Sequence, residues 1–302
     1  MKKTEVFVPG HITGFFQACD KSDDPLLKGS RNCGPCIEDG VHTIVKVKQS
    51  DSQELQVFFD GRKETAKTSR TAAKEVLKEI EGSFSVNIRH ELQAPLGAGY
   101  GMSGAGALGV VLGIIDALDM DLSREDAVSL AHKSEVVNGS GLGDVGPQAL
   151  GGLVIGVEPG APPYGKWNKI EVSRDLEVVY GTEGPLSTND LLKDRKFRAK
   201  TKRLGHIALR DLLKDSTVGN FMRISNKFTN DLGIFDEEFT DVLNGISNES
   251  SMGAGAVMLG RAIFAFCESS ESDSLVNIFE EYFDPGTVRV CSLDLKGARL
   301  LD

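Results

Sequence analysis

The 302-residue sequence predicts an α+β protein with two domains. Strand patterns dominate the first 100 residues, and helical patterns of period 3.6 dominate residues 187–243. Between them lies a Pro- and Gly-rich stretch at 159–165, which is typical of a domain boundary. At roughly 150 residues per domain the length agrees with this division. We therefore predict an N-terminal domain of residues 1–160 and a C-terminal domain of residues 161–302.

The elements of the first domain follow from residue type and period. β-Branched and aromatic residues, and the alternation in the last segment, predict strands at 4–8, 42–47, 54–59 and 83–92. Apolar spacing predicts helices at 69–80 and 107–118, the second of them buried. Ser123 with Asp126 is related to a capping box and predicts a further helix that Gly139 ends. A glycine-rich loop and a strand at 152–157 complete the domain.

The second domain has fewer strands. Strand patterns occur at residues 169–172 and 176–180, and four helical patterns follow within 187–243. A glycine-rich turn at 250–255 is expected to lead into a buried helix that reaches Cys267. A helix at 274–283 and a strand at 287–294 end the sequence.

Composition excludes several classes of protein. The 34 Lys and Arg residues against 44 Asp and Glu residues leave a net charge of −10 and an isoelectric point near 5.1. Such a chain lacks the basic surface that general nucleic-acid binding or docking on an anionic membrane requires. Neither a signal peptide nor an apolar run long enough to span a bilayer is apparent, so we expect a cytoplasmic location. Five cysteines, an odd number, fit a reducing compartment.

The 34 glycines are clustered at residues 97–113, 139–152 and 253–260. The segment 95–106 (PLGAGYGMSGAG) follows a strand and precedes a helix, so its backbone N–H groups and the helix N-terminus can converge on a phosphate. Residues 99–104 match G-x-G-x-x-G, but no strand ending in an acid follows the helix. Ala107 stands where a P-loop has lysine. Neither common phosphate loop fits.

Residues 95–106 resemble the second motif of the GHMP kinases, P-x-G-x-G-L-G-S-S-A-A. Pro9-Gly10 and residues 250–255 (SSMGAG) resemble the first and third motifs in the same order. The resemblance implies a two-domain GHMP kinase fold, with an N-terminal domain like domain 2 of ribosomal protein S5 and a ferredoxin-like C-terminal domain. It also implies ATP and Mg²⁺ as cofactors. The implied nucleotide-binding residues are Pro95, Gly97, Gly99, Gly101, Met102, Ser103, Gly104, Ala105 and Gly106.

Two acids outside this loop are candidates for chemistry. Glu135 ends a predicted helix and Asp144 lies in a glycine-rich loop, so the pair is either two solvated acids or a site for Mg²⁺ and a substrate hydroxyl. The resemblance favours the second reading, with Glu135 and Ser103 as Mg²⁺ ligands. Asp144, seven residues before Gly151, would then be the general base.

The N-terminal segment 9–16 (PGHITGFF), with Gly29-Ser30-Arg31, is similar to that of the archaeal pantoate kinases within this family. That similarity implies phosphorylation of the 4-hydroxyl of pantoate to 4-phosphopantoate in coenzyme A biosynthesis. A small hydroxy-carboxylate needs a cation and hydrogen-bond donors, and Ser30, Arg31 and His132 are the candidates. A satisfied helix histidine and a surface arginine are the ordinary alternatives for His132 and Arg31.

Other interpretations stay open at this point. A mevalonate-type or homoserine-type GHMP kinase would share the same loop, and so would a non-catalytic nucleotide-binding sensor of this fold. A dinucleotide-dependent oxidoreductase is a more distant alternative. Pantoate is the expected partner molecule, and a homodimer is neither required nor excluded.

Two further patterns are set aside. Cys33-Gly-Pro-Cys36 matches a redox or half-zinc motif, but no helix and no second pair follow, so a loop carrying two cysteines is expected. Residues 193–203 (KDRKFRAKTKR) carry seven basic residues, which indicate a solvated helix face or a rim that attracts anions.

Overall fold

The computed structural model describes residues 1–186 and 195–301. Its strands and helices form two sheets with helices packed on them, as the α+β prediction requires. The strands are β1 (Lys2–His11), β2 (Phe15–Cys19), β3 (Gly29–Gln49), β4 (Glu54–Phe59), β5 (Arg62–Lys63), β6 (Phe84–Leu92), β7 (Leu153–Glu158), β8 (Lys166–Ile170), β9 (Leu176–Pro185), β10 (Ala254–Ala256), β11 (Gly260–Glu268), β12 (Val288–Ser292) and β13 (Arg299–Leu301). The helices are α1 (Lys67–Leu77), α2 (Met102–Leu118), α3 (Arg124–Asn138), α4 (Val145–Leu150), α5 (Arg195–Leu212), α6 (Val218–Leu232), α7 (Glu237–Glu249) and α8 (Ser272–Glu280).

The first sheet is organised by the 21-residue strand β3. Within the described residues its order is β13-β1-β3-β6-β4-β5, while β2 and β7 pair with the other half of β3 and β8 pairs with β7. All of these pairs are antiparallel except β4 with β6. Strands β8 and β13 lie beyond residue 160 in sequence but belong to this sheet, so the sheet contains strands from both sides of the predicted domain boundary. The boundary at residue 160 stays a prediction.

Helix α2 lies directly on this sheet, against β1 and β3 and beside α1 and α3. A Cβ at Gly109 would lie 2.5 Å from Thr43 Oγ1, and one at Gly113 would lie 2.5 Å from Val45 Cγ2. Glycines four residues apart therefore give the helix a smooth face that approaches the sheet closely. This contact fixes the height of the helix N-terminus above the sheet.

The second sheet has the order β10-β11-β9-β12 within the described chain, and α6, α7 and α8 contact its strands. The predicted buried helix that reaches Cys267 is wrong, because residues 260–268 form strand β11. Ala262–Cys267 is a continuous buried apolar run, since both faces of this central strand are covered. Such a run has no period of 2 and cannot be distinguished from a buried helix by pattern alone.

The ends of α3 are confirmed, whereas α2, α4 and the cysteine motif differ from the predictions. Ser123 and Asp126 form a full capping box on α3, and Gly139 ends that helix in a left-handed conformation, as predicted. Helix α2 begins at residue 102 rather than 107, and α4 occupies part of the predicted loop at 139–152. The Cys33–Cys36 motif is not in a loop but inside β3.

The second half is helical where the sequence predicts it, but the number of helices differs. Four helical patterns are predicted within 187–243, whereas the described residues form three helices, α5, α6 and α7, within 195–249. Residues 187–194, the first part of the predicted helical region, lie outside the described residues. No helix in the described part of the chain is long and apolar enough to cross a membrane.

Candidate active site

The glycine-rich segment opens onto a cleft of about 1230 Å³ between the two sheets. One wall comes from the turn between β4 and β5, the N-terminus of α1, the segment before the glycine-rich loop and the start of α2. The other wall comes from β9 and β12 of the second sheet. Polar and charged residues of the two walls include Arg62, Lys67, Thr68, Ser69, Gln93, Ser103, Thr182, Glu183 and Arg289.

The loop conformation requires its glycines. Gly97, Gly99 and Gly101 have φ values of +80°, +91° and +67°, a region that L residues rarely adopt. A Cβ at Gly99 would also lie 2.7 Å from the carbonyl oxygen of Met258. The first backbone hydrogen bond of α2 runs from Ala105 N–H to the Gly101 carbonyl (3.0 Å), so the three preceding N–H groups have no partner within the helix. Free N–H groups at the positive end of a helix dipole are able to bind an anion.

Tyr100 holds this loop from two sides. Its hydroxyl lies 2.6 Å from Thr182 Oγ1 on β9, and its carbonyl accepts a hydrogen bond from the His11 backbone N–H at 2.9 Å. Burial raises the pKa of the Tyr100 hydroxyl above its ordinary value, so it stays protonated. The loop is thereby connected to the second sheet and to the end of β1.

Glu135, on α3, is almost completely buried beneath the start of α2. Its Oε1 accepts a hydrogen bond from Ser140 Oγ (2.9 Å). The Ser103 side chain is near enough to favour the charged form of the carboxylate slightly, which lowers the Glu135 pKa. A Cβ at Gly104 would lie 2.8 Å from Glu135 Oε2, and one at Gly141 would lie 2.2 Å from it. Burial, followed by repulsion from Asp144, raises the Glu135 pKa from 4.5 to about 7.

Asp144 directly precedes α4, and its carboxylate is 24% exposed. His11 Nδ1 lies 2.8 Å from Asp144 Oδ1, and Thr13 Oγ1 donates a longer hydrogen bond of 3.5 Å to the same oxygen. A Cβ at Gly101 would lie 3.2 Å from Asp144 Cβ, so the acid is adjacent to the residue that caps α2. The structure thus brings Ser103, Glu135 and Asp144 together at one helix N-terminus.

These groups fit a magnesium ion in their chemistry. Two carboxylates and a hydroxyl supply only oxygen donors, and a cation would offset the cost of burying Glu135. Among the described residues no three His, Cys, Asp or Glu side chains meet to hold a metal by themselves. A Mg²⁺ site does not require such a group, since one or two carboxylates usually share the ion with phosphate oxygens and water.

The three predicted substrate residues lie in different environments. Ser30 faces the Asp144 loop, since a Cβ at Gly143 would lie 1.9 Å from Ser30 Oγ. Arg31, the next residue of β3, points to the opposite face of the strand. There its guanidinium donates to the Val157 carbonyl (3.0 Å) and to Glu158 Oε2 (2.9 Å).

His132 lies within hydrogen-bond distance of backbone rather than of Asp144. Its Nε2 is 2.8 Å from the Lys28 carbonyl, and burial lowers its pKa. The structure therefore places only Ser30 next to the candidate base, and the substrate roles of Arg31 and His132 stay predictions.

Sequence reasoning missed several residues of this site. His11 and Thr13 contact Asp144 from the first motif, although nothing in their local pattern marks them as partners of an acid 133 and 131 residues away. Lys67, Thr68 and Ser69 line the cleft, although the sequence assigns only Ser69 to a predicted helix and gives none of the three a role in the site. The one indication in the sequence is that His11 directly follows Pro9-Gly10, which resembles the first family motif.

Comparison with known protein sequences shows the family of this chain. A family model described as GHMP kinases N terminal domain matches residues 66–152. A pantoate kinase of Methanocaldococcus jannaschii is 30% identical over 279 residues, which cover 91% of this chain and 97% of that protein. The chain belongs to the GHMP kinase family. A pantoate kinase of Methanospirillum hungatei is also 30% identical, over 95% of this chain and 96% of the relative.

A solved structure titled as a phosphotransferase related to the CoA biosynthesis pathway has the same fold. It superimposes with a TM-score of 0.89 at 23% identity and covers 99% of this chain and 98% of its own. The predicted two-domain α+β fold of a GHMP kinase is confirmed. Matches to a mevalonate kinase and a homoserine kinase cover 28% and 38% of this chain.

Proposed function

We propose that this protein transfers the γ-phosphoryl group of ATP to the 4-hydroxyl of pantoate, producing 4-phosphopantoate for coenzyme A biosynthesis. The observation that carries the proposal is the full-length similarity to pantoate kinases, together with a carboxylate, Asp144, beside the helix N-terminus that would hold the phosphates. The shorter matches to mevalonate and homoserine kinases support the reaction type but not those substrates.

The glycine-rich loop is proposed to hold the nucleotide. Unpaired N–H groups at the start of α2 would bind phosphate oxygens, and the left-handed glycines would let the backbone approach them. Loop residues proposed to contact the nucleotide are Pro95, Gly97, Gly99, Gly101, Met102, Ser103, Gly104, Ala105 and Gly106. Lys67 lines the same cleft as the start of α2.

Ser103 and Glu135 are proposed to hold Mg²⁺, whose charge would neutralise phosphate oxygens during transfer. Glu135 Oε2 would lie 2.8 Å from a Cβ at Gly104, the residue that follows Ser103, so the carboxylate lies beside the first turn of α2. Because Glu135 has a pKa of about 7, it is only partly ionised at neutral pH until a cation favours its charged form.

Asp144 is proposed to be the general base. One of its oxygens is occupied by His11 and Thr13, which leaves the other to accept the hydroxyl proton of pantoate. The hydroxyl oxygen forms a bond to the γ-phosphorus while the bond from that phosphorus to the β–γ bridging oxygen breaks, and ADP leaves. Ser30 would contact the substrate beside Asp144, and Arg31 and His132 are retained as candidate carboxylate contacts.

The test is ADP release with ATP and Mg²⁺, measured with pantoate, mevalonate, homoserine, shikimate and galactose against a blank without acceptor. We expect turnover with pantoate alone and a product that ³¹P NMR identifies as a phosphomonoester on the 4-oxygen. Asp144→Asn should reduce kcat by about 1000-fold while ADP binding persists. Turnover with a different alcohol would refute pantoate as the substrate. Nucleotide binding without turnover of any acceptor would favour a non-catalytic nucleotide-binding sensor.

A further inference from the structure

His11 lies at the end of β1, and its ring is fully buried. Its Nδ1 is 2.8 Å from Oδ1 of Asp144, a residue 133 positions away in sequence. This is the shorter of the two side-chain hydrogen bonds to the Asp144 carboxylate among the described residues. A general base at Asp144 does not by itself require a histidine at this position.

The contact with Asp144 requires a proton on one particular nitrogen of the His11 ring. A carboxylate oxygen accepts hydrogen bonds, so at 2.8 Å from Oδ1 the ring nitrogen Nδ1 must be the donor. Nε2 is buried and has no hydrogen-bond partner in the described part of the chain. The Asp144 contact is therefore the one side-chain hydrogen bond that the described residues offer to this ring.

We propose that His11 is a positioning residue: its Nδ1–H holds Oδ1 of Asp144, so that Oδ2 is the oxygen presented to the substrate hydroxyl. The proposal rests on the proposed function, because it assigns the orientation of the same base. Thr13 reaches Oδ1 only at 3.5 Å, so it adds little orientation by itself. Without the His11 bond the Asp144 carboxylate, which is partly exposed, would be free to rotate.

The backbone of His11 has a separate task. Its N–H donates to the Tyr100 carbonyl at 2.9 Å, so it fixes the glycine-rich loop relative to β1. A side-chain substitution leaves this backbone bond available. Loss of the ring should therefore affect the orientation of Asp144 and the chemical step, while nucleotide binding at the loop is retained.

The experiment compares His11→Asn with His11→Gln. The amide nitrogen of asparagine can occupy nearly the place of Nδ1, whereas that of glutamine extends toward the place of Nε2. We expect Asn to keep kcat within about fivefold of the wild type and Gln to lower it about 30-fold, the equivalent of one hydrogen bond to a charged group. ADP affinity and thermal midpoint, measured for both variants, should match each other.

A double-mutant cycle with Asp144→Asn isolates the contact. In the Asp144→Asn background, His11→Gln should cause no further loss of kcat. Equal kcat for the two His11 variants, whether high or low, would overturn the proposal, as would additive losses in the cycle.

A measurement without substrate keeps this inference separate from the proposed function. ¹⁵N NMR of ring-labelled wild-type protein should show a protonated Nδ1 on His11, and the Nδ1 signal should shift in Asp144→Asn. An Nδ1 without a proton would overturn the proposal even if pantoate is phosphorylated. Failure of the acceptor assay with a protonated Nδ1 present would instead reject the function.

Discussion

Glu135→Gln should make the metal-free protein more stable at pH 8, although it removes a proposed metal ligand. The wild-type carboxyl is buried beside Asp144, and its pKa rises from 4.5 to about 7 on folding. The native state therefore binds a proton more tightly than the unfolded state. For a group of this kind, stability is complete below pH 4.5 and is lost as the pH rises to about 7.

The size of the effect follows from the same values. At 1.36 kcal/mol for each pH unit between the two pKa values, the loss of stability by pH 8 is about 3 kcal/mol, of which about 2 kcal/mol falls above pH 5. The neutral glutamine carries no such penalty, and its amide oxygen can still accept from Ser140. At about 2 °C per kcal/mol for a chain of this size, the variant should gain about 4 °C relative to the wild type between pH 5 and pH 8.

The assay is thermal unfolding in EDTA at pH 5, 6, 7 and 8, for the wild type, Glu135→Gln and the control Glu81→Gln. Glu81 is exposed in the loop between α1 and β6, so its substitution should leave the pH dependence unchanged. Addition of Mg²⁺ with ADP at pH 8 should stabilise the wild type more than Glu135→Gln. A constant difference between Glu135→Gln and the wild type at all four pH values would refute the argument.

Three further predictions test other parts of the site. Ser30→Ala should raise the KM for pantoate about tenfold, and Arg31→Ala should raise it less because that side chain lies on the opposite face of β3; steady-state kinetics decides this. Tyr100→Phe should raise the KM for ATP and lower the thermal midpoint by about 2 °C, because the buried Thr182 hydroxyl loses its hydrogen-bond partner. Thr182→Val, which removes the other partner, should have the same effect. Unaltered values in both variants would contradict the role of this bond. Gly99→Ala should abolish ADP binding measured by calorimetry, with Gly286→Ala as the unhindered control; retained binding would show that the left-handed turn is dispensable.

Local signals were sufficient for much of the first domain. The capping box at Ser123 and the strand at 54–59 depend on neighbouring residues and were predicted correctly. The prediction of a helix in place of β11 failed because the strand is buried on both faces, so its apolar run carries no period. Helix α4 was missed because Gly146 and Pro147 are typical of loops, while tertiary contacts hold this turn in place.

The sequence by itself determined the family resemblance, the glycine-rich loop that is proposed to bind phosphate, and three residues that the structure brings together, Ser103, Glu135 and Asp144. These depend on glycines and motif spacing, which are local properties of the chain. Only the tertiary structure decided the orientation of side chains and the electrostatics of the site. The contact between His11 and Asp144 joins two distant segments, and the raised pKa of Glu135 requires burial that no local pattern encodes.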